Sequence, residues 1–253
     1  MASLGFIKRV LRVLGIPFAV YLVLVIGTYV WQRSLLFFPT HLTIASRLTP
    51  WRSDGGIIGY CREATNAQTL WLMMHGNAGQ AADRDYVLSR MSDRDSLYVV
   101  EYPGYGAREG RPSKESMDQA ASRAYELLRT QHPGKAVCVL GESIGSGPAC
   151  SLALEKVPPD KIVLVVPFDT LASVAAERFW FLPVRLLLRD RWNNVQALRH
   201  YPGPVDVFGA EGDTIIPIEH ARSLARQIPG SHFTAIPGGH NDWAFCADVK
   251  IVP

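Results

Sequence analysis

Short, fully apolar runs alternate with longer amphipathic segments from about Gln68 to the end of the chain. Apolar runs separated by segments with helical spacing are typical of a parallel sheet covered by helices on both faces. The pattern therefore predicts stacked βαβ units in an α/β fold. The predicted strands are 57–61 (an antiparallel edge), 69–74, 96–100, 136–140, 161–166, 204–209 and 232–236, and the predicted helices are 81–91, 113–130 with Ser113 as N-cap, 146–156 and 218–227.

The N-terminal part of the chain has a different pattern, because no charged residue occurs from Val13 to Trp31. A helix of this length and apolar character can span the hydrocarbon core of a bilayer. Basic residues precede the stretch, and aromatic and basic residues occupy its far end, as is typical of membrane helices. These flanking residues are Lys8, Arg9 and Arg12 on one side and Tyr29, Trp31 and Arg33 on the other.

We expect this stretch to be an uncleaved signal anchor that makes the protein a single-pass membrane protein. A cleavable signal peptide is the alternative, but its apolar region is usually shorter and ends in small residues. The basic residues before the stretch favour an extracytoplasmic main domain, although Arg33, Arg47 and Arg52 after it weaken the asymmetry. Residues 35–39 either lie along the membrane surface or form a first core strand.

These patterns divide the chain into an anchor (1–33), a membrane-proximal lead-in with edge strands (34–67) and a main domain (68–253). Within the main domain, residues 171–200 contain no βα unit of their own. We expect a small cap there, the alternative being that some of its aromatic residues pack in the core, and we interpret its arginines as a solvated face. The residues concerned are Phe179, Trp180, Phe181, Trp192, Arg178, Arg185, Arg189 and Arg191.

Composition excludes several classes of function. The net charge of the 253 residues is only +3, and the basic residues are scattered, so no nucleic-acid partner is indicated. The four cysteines stand alone and the seven histidines show no metal-ligand spacing. We therefore expect no metal and no cofactor, whereas the redox compartment and the oligomeric state stay open.

The residues Gly141-Glu142-Ser143-Ile144-Gly145 form the pattern G-x-S-x-G between a predicted strand and a predicted helix. In this context the pattern indicates a nucleophile elbow, a sharp turn that exposes a serine hydroxyl. Because a serine hydroxyl is a weak nucleophile alone, a base must lie beside it. We therefore expect Ser143 to be the nucleophile of an acyl-transfer site.

Two later residues have the positions that an acid and a base require. Asp213 follows the predicted strand 204–209, and His240 follows the predicted strand 232–236. Ligands bind outside the carboxyl ends of strands in open α/β sheets, so both lie at the edge where Ser143 is expected. His240 is the predicted base and Asp213 the predicted acid; Asp169, after the strand 161–166, is the alternative acid.

Acyl transfer also needs donors for the oxyanion. The backbone N–H of Ile144 is one candidate, and that of Asn77, in the loop His75-Gly76-Asn77-Ala78-Gly79 after the strand 69–74, is the other. His75 lies too early in the chain for the base, and we expect it to shape the loop.

These segments resemble the α/β-hydrolase superfamily from about Gln68 to Asp242, through the runs HGNAG, EYPGYG, GESIGSG, EGDTIIP and GGHND. The set is most similar to membrane-anchored α/β-hydrolase-domain serine hydrolases, a group that includes lysophospholipases, monoacylglycerol lipases and protein depalmitoylases. The resemblance implies an α/β-hydrolase fold and a site lined by the HGN loop (His75, Gly76) and the tyrosine-glycine loop (Tyr102, Tyr105), with Trp180 of the cap as a further lining candidate. Glu101, just before the tyrosine-glycine loop, departs from this pattern.

The sequence thus predicts a serine hydrolase that cleaves carboxylic esters or thioesters of lipid-like or acylated substrates. A serine peptidase of the prolyl-oligopeptidase-like type is the enzymatic alternative, although the chain lacks the propeller or large cap usual there. A non-catalytic, membrane-tethered binding module is the alternative of a different class. It would be expected to lack part of the catalytic set, and this chain contains all three members.

Overall fold

The computed structural model describes the backbone of residues 2–253 and the side chains of residues 15–253. The side chains of the first basic cluster and of the first two residues of the apolar stretch, Val13 and Leu14, therefore lie outside the described part.

A single eight-stranded sheet organises the chain, in the spatial order β1-β2-β4-β3-β5-β6-β7-β8. The pairs β1–β2 and β2–β4 are antiparallel, and all other pairs are parallel. The predicted mostly parallel α/β fold is confirmed. The strands are β1 Thr49–Ser53, β2 Gly56–Arg62, β3 Thr69–Met74, β4 Ser96–Val100, β5 Ala136–Glu142, β6 Ile162–Val165, β7 Val205–Ala210 and β8 His232–Ile236.

Both faces of the central strands are buried, which explains their uninterrupted apolar sequences. Successive side chains of β3 point to opposite faces, so Leu70 and Leu72 join one core cluster while Trp71 and Met73 join the other. Helices and 3-10 turns cover these clusters. The helices are α1 Ala2–Leu36, α2 Lys114–Gln131, α3 Ser146–Ser151, α4 Leu171–Arg178, α5 Val184–Leu187, α6 Asn194–Leu198 and α7 Ile218–Gln227.

Helix α1 includes the predicted anchor. Its segment Gly15–Leu36 is long and apolar enough to cross a membrane: an 18-residue stretch within it has a mean hydropathy of 1.5, and only 6% of that stretch is buried in the protein. The helix ends at Leu36, and Pro39 then forms an isolated bridge with Gly79. Residues 35–39 therefore form no core strand. The lead-in instead supplies β1 and β2, the antiparallel edge of the sheet.

The predicted helix 81–91 is wrong, because the structure has two 3-10 turns there, Ala81–Asp83 and Asp85–Arg90. Arg84 separates them and directs its guanidinium inward toward Glu142. The predicted helix 146–156 is also too long: α3 ends at Ser151 and tightens into a 3-10 turn over Leu152–Leu154. The predicted N-cap Ser113 is confirmed, since its side chain accepts a hydrogen bond from the Ser116 N–H.

The segment predicted as a cap consists of the short helices α4, α5 and α6. Its two ends are held together, because Thr170 pairs with Asn193 in an antiparallel bridge. Asn194 Nδ2 donates to Ser146 Oγ at 3.0 Å and to Phe168 O at 2.9 Å. These contacts fix the base of the segment on the sheet, beside the start of α3.

Candidate active site

Ser143 lies on a strained turn at the carboxyl end of β5. Its φ is +52°, in the left-handed region that costs a residue with a side chain free energy. A Cβ on Gly141 would lie 2.7 Å from Ala149 Cβ, and one on Gly145 would lie 2.2 Å from Met74 O. Both glycines are therefore required for the close approach of α3 and of the loop after β3.

The side chains of Ser143, His240 and Asp213 form a continuous hydrogen-bonded line. His240 Nδ1 lies 2.6 Å from Asp213 Oδ2, and because a carboxylate only accepts, Nδ1 is the donor. His240 Nε2 lies 2.8 Å from Ser143 Oγ and accepts the hydroxyl proton in the neutral imidazole. An imidazole held in this way can remove a proton from the serine hydroxyl.

The carboxylate of Asp213 is also held by contacts other than the one with His240. Its Oδ1 accepts hydrogen bonds of 2.8 Å from the N–H groups of Ile215 and Ile216, and its side chain is fully buried. The loop of Asp213 is joined to that of His240, because the Gly212 N–H donates to Gly238 O at 2.8 Å. The joined loops after β7 and β8 thus fix the position of the carboxylate relative to the imidazole.

Asp169, the alternative acid, contacts a different histidine. Its Oδ1 lies 2.8 Å from His220 Nδ1 and accepts from the Thr170 N–H at 2.6 Å. His220 Nε2 lies 3.1 Å from Glu177 Oε2. Asp213, and not Asp169, therefore accompanies His240.

The two predicted oxyanion donors belong to segments in direct contact. Ile144 directly follows Ser143, and Asn77 lies in the loop after β3, whose Met74 and His75 carbonyls surround Gly145. The Asn77 side chain is held from two sides, since its Oδ1 accepts from Tyr105 Oη at 2.9 Å and its Nδ2 donates to Leu36 O. The end of α1 therefore abuts the loop.

The other predicted lining residues lie beneath this loop or away from it. His75, Tyr102 and Tyr105 are completely buried, and Tyr102 Oη donates to His75 O at 2.9 Å. Burial raises the pKa of both tyrosines above its ordinary value, so they stay neutral donors. They support the loop from below instead of lining a pocket, because their hydroxyls are occupied by loop atoms. Trp180 is 82% exposed, on the cap.

His75 contacts residues of its own loop and of the tyrosine-glycine loop. Its Nδ1 donates to Gly76 O at 2.7 Å, its ring packs on Tyr102 with 4.3 Å between centroids, and its Nε2 faces Glu101 Oε1 at 3.6 Å. Glu101 Oε1 also accepts from the Ala81 N–H at 3.0 Å. The buried Glu101 thus joins the tyrosine-glycine loop to the loop of His75.

Sequence reasoning missed Glu142, the residue between the strand and Ser143. Its Oε2 accepts from the Gly76 N–H at 2.9 Å, and its Oε1 accepts from Tyr86 Oη at 3.0 Å and from Trp243 Nε1 at 3.1 Å. One carboxylate thus joins the turn of Ser143 to the loop of His75 and to the 3-10 turn after His240. The available signal was a charged residue between an apolar predicted strand and the predicted nucleophile.

The charge of Glu142 is stabilised in place. Burial by itself raises the pKa of a carboxyl group, but the charge of Arg84, 3.9 Å away, and the three hydrogen bonds outweigh burial. The pKa of Glu142 therefore lies below its ordinary value, and that of Arg84 lies above its own. Among the described residues, no group of three or more His, Cys, Asp or Glu side chains is arranged to hold a metal ion.

No family model matches the chain. An uncharacterized protein of Mycobacterium tuberculosis (strain CDC 1551 / Oshkosh) is 30% identical over 235 residues, which cover 85% of this chain and 83% of that protein. The lysophosphatidylserine lipase ABHD12 of Danio rerio is 26% identical over 185 residues, 65% of this chain and 48% of the lipase. The chain therefore corresponds to about half the length of that lipase.

Two further comparisons concern the fold. The alpha/beta hydrolase domain-containing protein WAV2 of Arabidopsis thaliana is 26% identical over 192 residues, 66% of this chain and 62% of that protein. The esterase Pf2001 of Pyrococcus furiosus superposes with a TM-score of 0.62 at 13% identity, over 83% of this chain and 94% of the esterase. With the parallel sheet and its strand order, these relatives show that the chain belongs to the α/β-hydrolase superfamily.

Proposed function

We propose that the protein is a serine hydrolase that cleaves carboxylic ester bonds, and thioester bonds of the same acyl groups, through an acyl-enzyme on Ser143. The observation that carries this proposal is the hydrogen-bonded line from Ser143 Oγ through His240 to the buried Asp213, on a strained turn. The relatives named lysophosphatidylserine lipase favour lipid-like acyl substrates.

In the first half-reaction Ser143 Oγ attacks the acyl carbonyl carbon while His240 Nε2 takes the hydroxyl proton. Asp213 keeps Nδ1 as the donor and stabilises the imidazolium that forms. The N–H groups of Asn77 and Ile144 are the proposed donors to the oxyanion of the tetrahedral intermediate. The carbon–oxygen or carbon–sulfur bond then breaks, and His240 gives its proton to the departing alcohol or thiol.

In the second half-reaction water attacks the acyl carbon while His240 Nε2 takes its proton. The tetrahedral intermediate collapses, the bond to Ser143 Oγ breaks, and the proton returns to the serine. The products are a carboxylic acid and the free enzyme. Glu142 touches none of the reacting atoms and acts as a positioning residue, through the three loops that it joins.

We further propose that α1 anchors the protein in a membrane, with residues 68–253 as the catalytic domain. The length and apolar composition of Gly15–Leu36 support the anchor. Its last residue, Leu36, accepts a hydrogen bond from Asn77 in the loop beside Ser143. The proposed site would therefore work close to the membrane surface, where acyl lipids are available.

A fluorophosphonate probe tests the nucleophile. We expect it to label the wild-type protein at Ser143 and to leave Ser143→Ala unlabelled, and turnover of p-nitrophenyl acyl esters should fall by roughly 10⁴- to 10⁶-fold in that variant. Ser151→Ala, at the end of α3, is the matched control. It should still be labelled at Ser143 and should keep its turnover of the esters. Absence of labelling under conditions that label a control esterase, or turnover that survives in Ser143→Ala, would refute the proposed nucleophile.

A panel of acyl esters, acyl thioesters and aminoacyl anilides, matched in chain length within each series, identifies the type of bond that the protein cleaves. We expect turnover of esters and thioesters that rises with acyl length. Preferred cleavage of the anilides would instead identify a peptidase.

A further inference from the structure

The cap contains an apolar segment that the fold leaves uncovered. Residues 179–188, which we call the cap hairpin, include a single charged residue, Arg185. Trp180 and Leu186 are 82% and 80% exposed, and Phe179 and Phe181 are each about half exposed. Exposed apolar side chains concentrated in one projecting segment indicate a surface that a partner covers.

The cap hairpin lies along α1, and the contacts between them measure its position. Phe181 O accepts from Tyr21 Oη at 2.9 Å, whereas Leu187 O accepts from Gln32 Nε2 at 3.1 Å. At the other end, Asp190 forms a bidentate ion pair with Arg33, at 2.9 and 3.2 Å. From Phe181 to Asp190 the chain therefore runs beside α1 toward the C-terminal end of that helix, and Phe181 lies at the end nearer the N-terminus of α1.

The rise of α1 gives the distance between these contacts along the helix axis. The interval from Tyr21 to Arg33 corresponds to about 18 Å along the axis of an α-helix. Arg189 lies over the ring of Tyr29, 4.2 Å from its centroid, close to the charged end of the interval. If Arg33 and Asp190 mark the membrane surface, Phe181 lies well inside a hydrocarbon layer about 30 Å thick.

The backbone of the cap hairpin is largely bonded, as an apolar environment requires. The N–H groups of residues 182, 184, 186, 187 and 188 donate to carbonyls within the segment. Several carbonyls also accept from side chains: Phe181 O from Tyr21, Leu187 O from Gln32, and Leu186 O and Leu188 O from Arg191. Most of its backbone N–H groups therefore keep a partner on leaving water, and the exposed guanidinium of Arg185 is the one charged group within the segment.

We infer that the cap hairpin is a re-entrant membrane segment, embedded beside α1 in the acyl chains of a phospholipid bilayer. This inference rests on the proposed anchoring role of α1. It makes the cap a second membrane contact that holds the proposed site against the lipid surface. Ile215 and Phe245, close in sequence to Asp213 and His240, are further exposed apolar residues.

A bilayer fits this surface better than a second copy of the chain. The hairpin follows the same axis as the proposed spanning helix, so any environment that surrounds α1 also surrounds the hairpin. The charged residues Arg189, Asp190 and Arg191 directly follow the C-terminal end of the cap hairpin, and Arg189 lies over the ring of Tyr29. Aromatic and basic residues at one end of an apolar segment are typical of the membrane interface.

Site-directed fluorescence in phosphatidylcholine vesicles tests the inference on the full chain. Leu186→Cys reports on the cap hairpin, Val23→Cys reports on α1, and Leu154→Cys is the matched control, because Leu154 is 71% exposed at the end of the helical segment that leads away from Ser143. All three are made with Cys246→Ser, since the other native cysteines are buried. Each variant is labelled with an environment-sensitive fluorophore and checked by turnover of a soluble ester.

We expect the probes at Leu186 and Val23 to show blue-shifted emission, to lose fluorescence to lipids that carry a nitroxide on the acyl chain, and to resist aqueous iodide. The probe at Leu154 should show the reverse. A Leu186 probe that iodide quenches as it does Leu154, while Val23 is quenched by lipid, overturns the inference and leaves the anchor intact. A Leu186 probe shielded from both quenchers identifies a protein partner or a second copy, and also overturns it.

A probe at Val23 that iodide quenches would refute the anchor and this inference together, whereas ester turnover in the same samples reports on the proposed hydrolase alone. A second variant does not depend on a label. Leu186→Glu should lower turnover of an acyl ester embedded in vesicles relative to that of a soluble ester, because a carboxylate in the acyl region is unfavourable. Leu154→Glu should leave this ratio unchanged, and equal ratios in both variants would contradict the inference.

Discussion

The protein contains two acid–histidine pairs at the carboxyl edge of one sheet. Asp169 follows β6 and Asp213 follows β7, and their carboxylates lie 2.8 and 2.6 Å from the Nδ1 atoms of His220 and His240. The pairs differ at the other ring nitrogen. His240 Nε2 meets the hydroxyl of Ser143, whereas His220 Nε2 meets a second carboxylate, that of Glu177.

This difference decides what each imidazole can do. A histidine between a carboxylate and a hydroxyl can accept a proton and release it again, as acyl transfer requires. The hydrogen bond that His220 donates to Asp169, opposed by burial but supported by Glu177, raises the pKa of His220 above its ordinary value. His220 therefore favours the cation and joins α7 to the cap helix α4. Two similar pairs thus have different roles: His240 is the proposed base, whereas His220 forms a structural contact.

The largest effect that distinguishes the two pairs is expected from replacing their acids. In Asp213→Asn, the amide oxygen stays with the N–H groups of Ile215 and Ile216, so the NH2 group faces Nδ1 and donates to it, which favours the wrong tautomer of His240. We expect kcat for a soluble acyl ester to fall by about 10⁴-fold, with a much smaller change in KM, a magnitude known from the corresponding change in a serine protease. Steady-state kinetics measure it.

Asp169→Asn is the matched control for that variant. We expect its kcat to stay within about threefold of wild type, because Asp169 contacts no proposed reacting group. A loss in Asp169→Asn as large as that in Asp213→Asn would mean that Asp169 is the acid after all.

A smaller loss is expected from Glu142→Gln, which tests whether the active pair depends on the three loops joined to Ser143. An amide can accept at only one of the two positions where Glu142 now accepts, so at least one donor among Gly76, Tyr86 and Trp243 loses its partner. The charge of Arg84 also loses one of its two carboxylate partners, the other being Asp83. We expect kcat to fall by about 10- to 100-fold and the free energy of unfolding by about 2–4 kcal/mol.

Kinetics and urea unfolding of Glu142→Gln measure the two effects. Glu126→Gln, on the exposed face of α2, is the control and should change neither. A variant destabilised to this extent but with unchanged kcat would show that Glu142 supports the fold without positioning the site.

Sequence reasoning was most accurate where a local pattern decides the structure. The strands 69–74 and 96–100 have the predicted bounds, because a largely apolar run is itself what a doubly covered strand requires. Strand 232–236, at the partly exposed edge of the sheet, also has its predicted bounds. The helix predicted at 81–91 was wrong, since the buried contact of Arg84 with Glu142 joins residues far apart in the chain. Helical periodicity carries no information about such a contact.

The same distinction applies to the candidate site. Ser143, Asp213 and His240 could be proposed because each follows a predicted strand, and parallel strands bring their carboxyl ends together. Glu142 could not be given a role, because its three donors come from separate segments. The choice between Asp169 and Asp213 also depended on which histidine faced each acid, and α7 supplies the partner of Asp169.

The smallest expected effect is on the free energy of unfolding. It distinguishes the Asp169–His220 pair by the pH dependence of its contribution. The pKa of His220 is raised, so its contribution is complete below its ordinary value and is lost as the pH rises through the raised one. The pKa of Asp169 is lowered, because the hydrogen bonds from His220 and Thr170 outweigh burial, so its contribution is lost only in acid. The pair should therefore stabilise the fold most between about pH 4 and 6.5.

We expect His220→Gln to lower the free energy of unfolding by on the order of 1–2 kcal/mol at pH 5.5 and by less at pH 9, while kcat for a soluble ester stays close to wild type. Thermal unfolding at both pH values measures the difference, with His232→Gln as the control, because His232 is an exposed histidine at the start of β8. Of the two histidines, His220 is the one that faces two carboxylates, so its replacement should show this pH dependence and that of His232 should not. A loss of stability that is equal at both pH values would mean that packing, and not the charge of the imidazole, makes the second pair a structural contact.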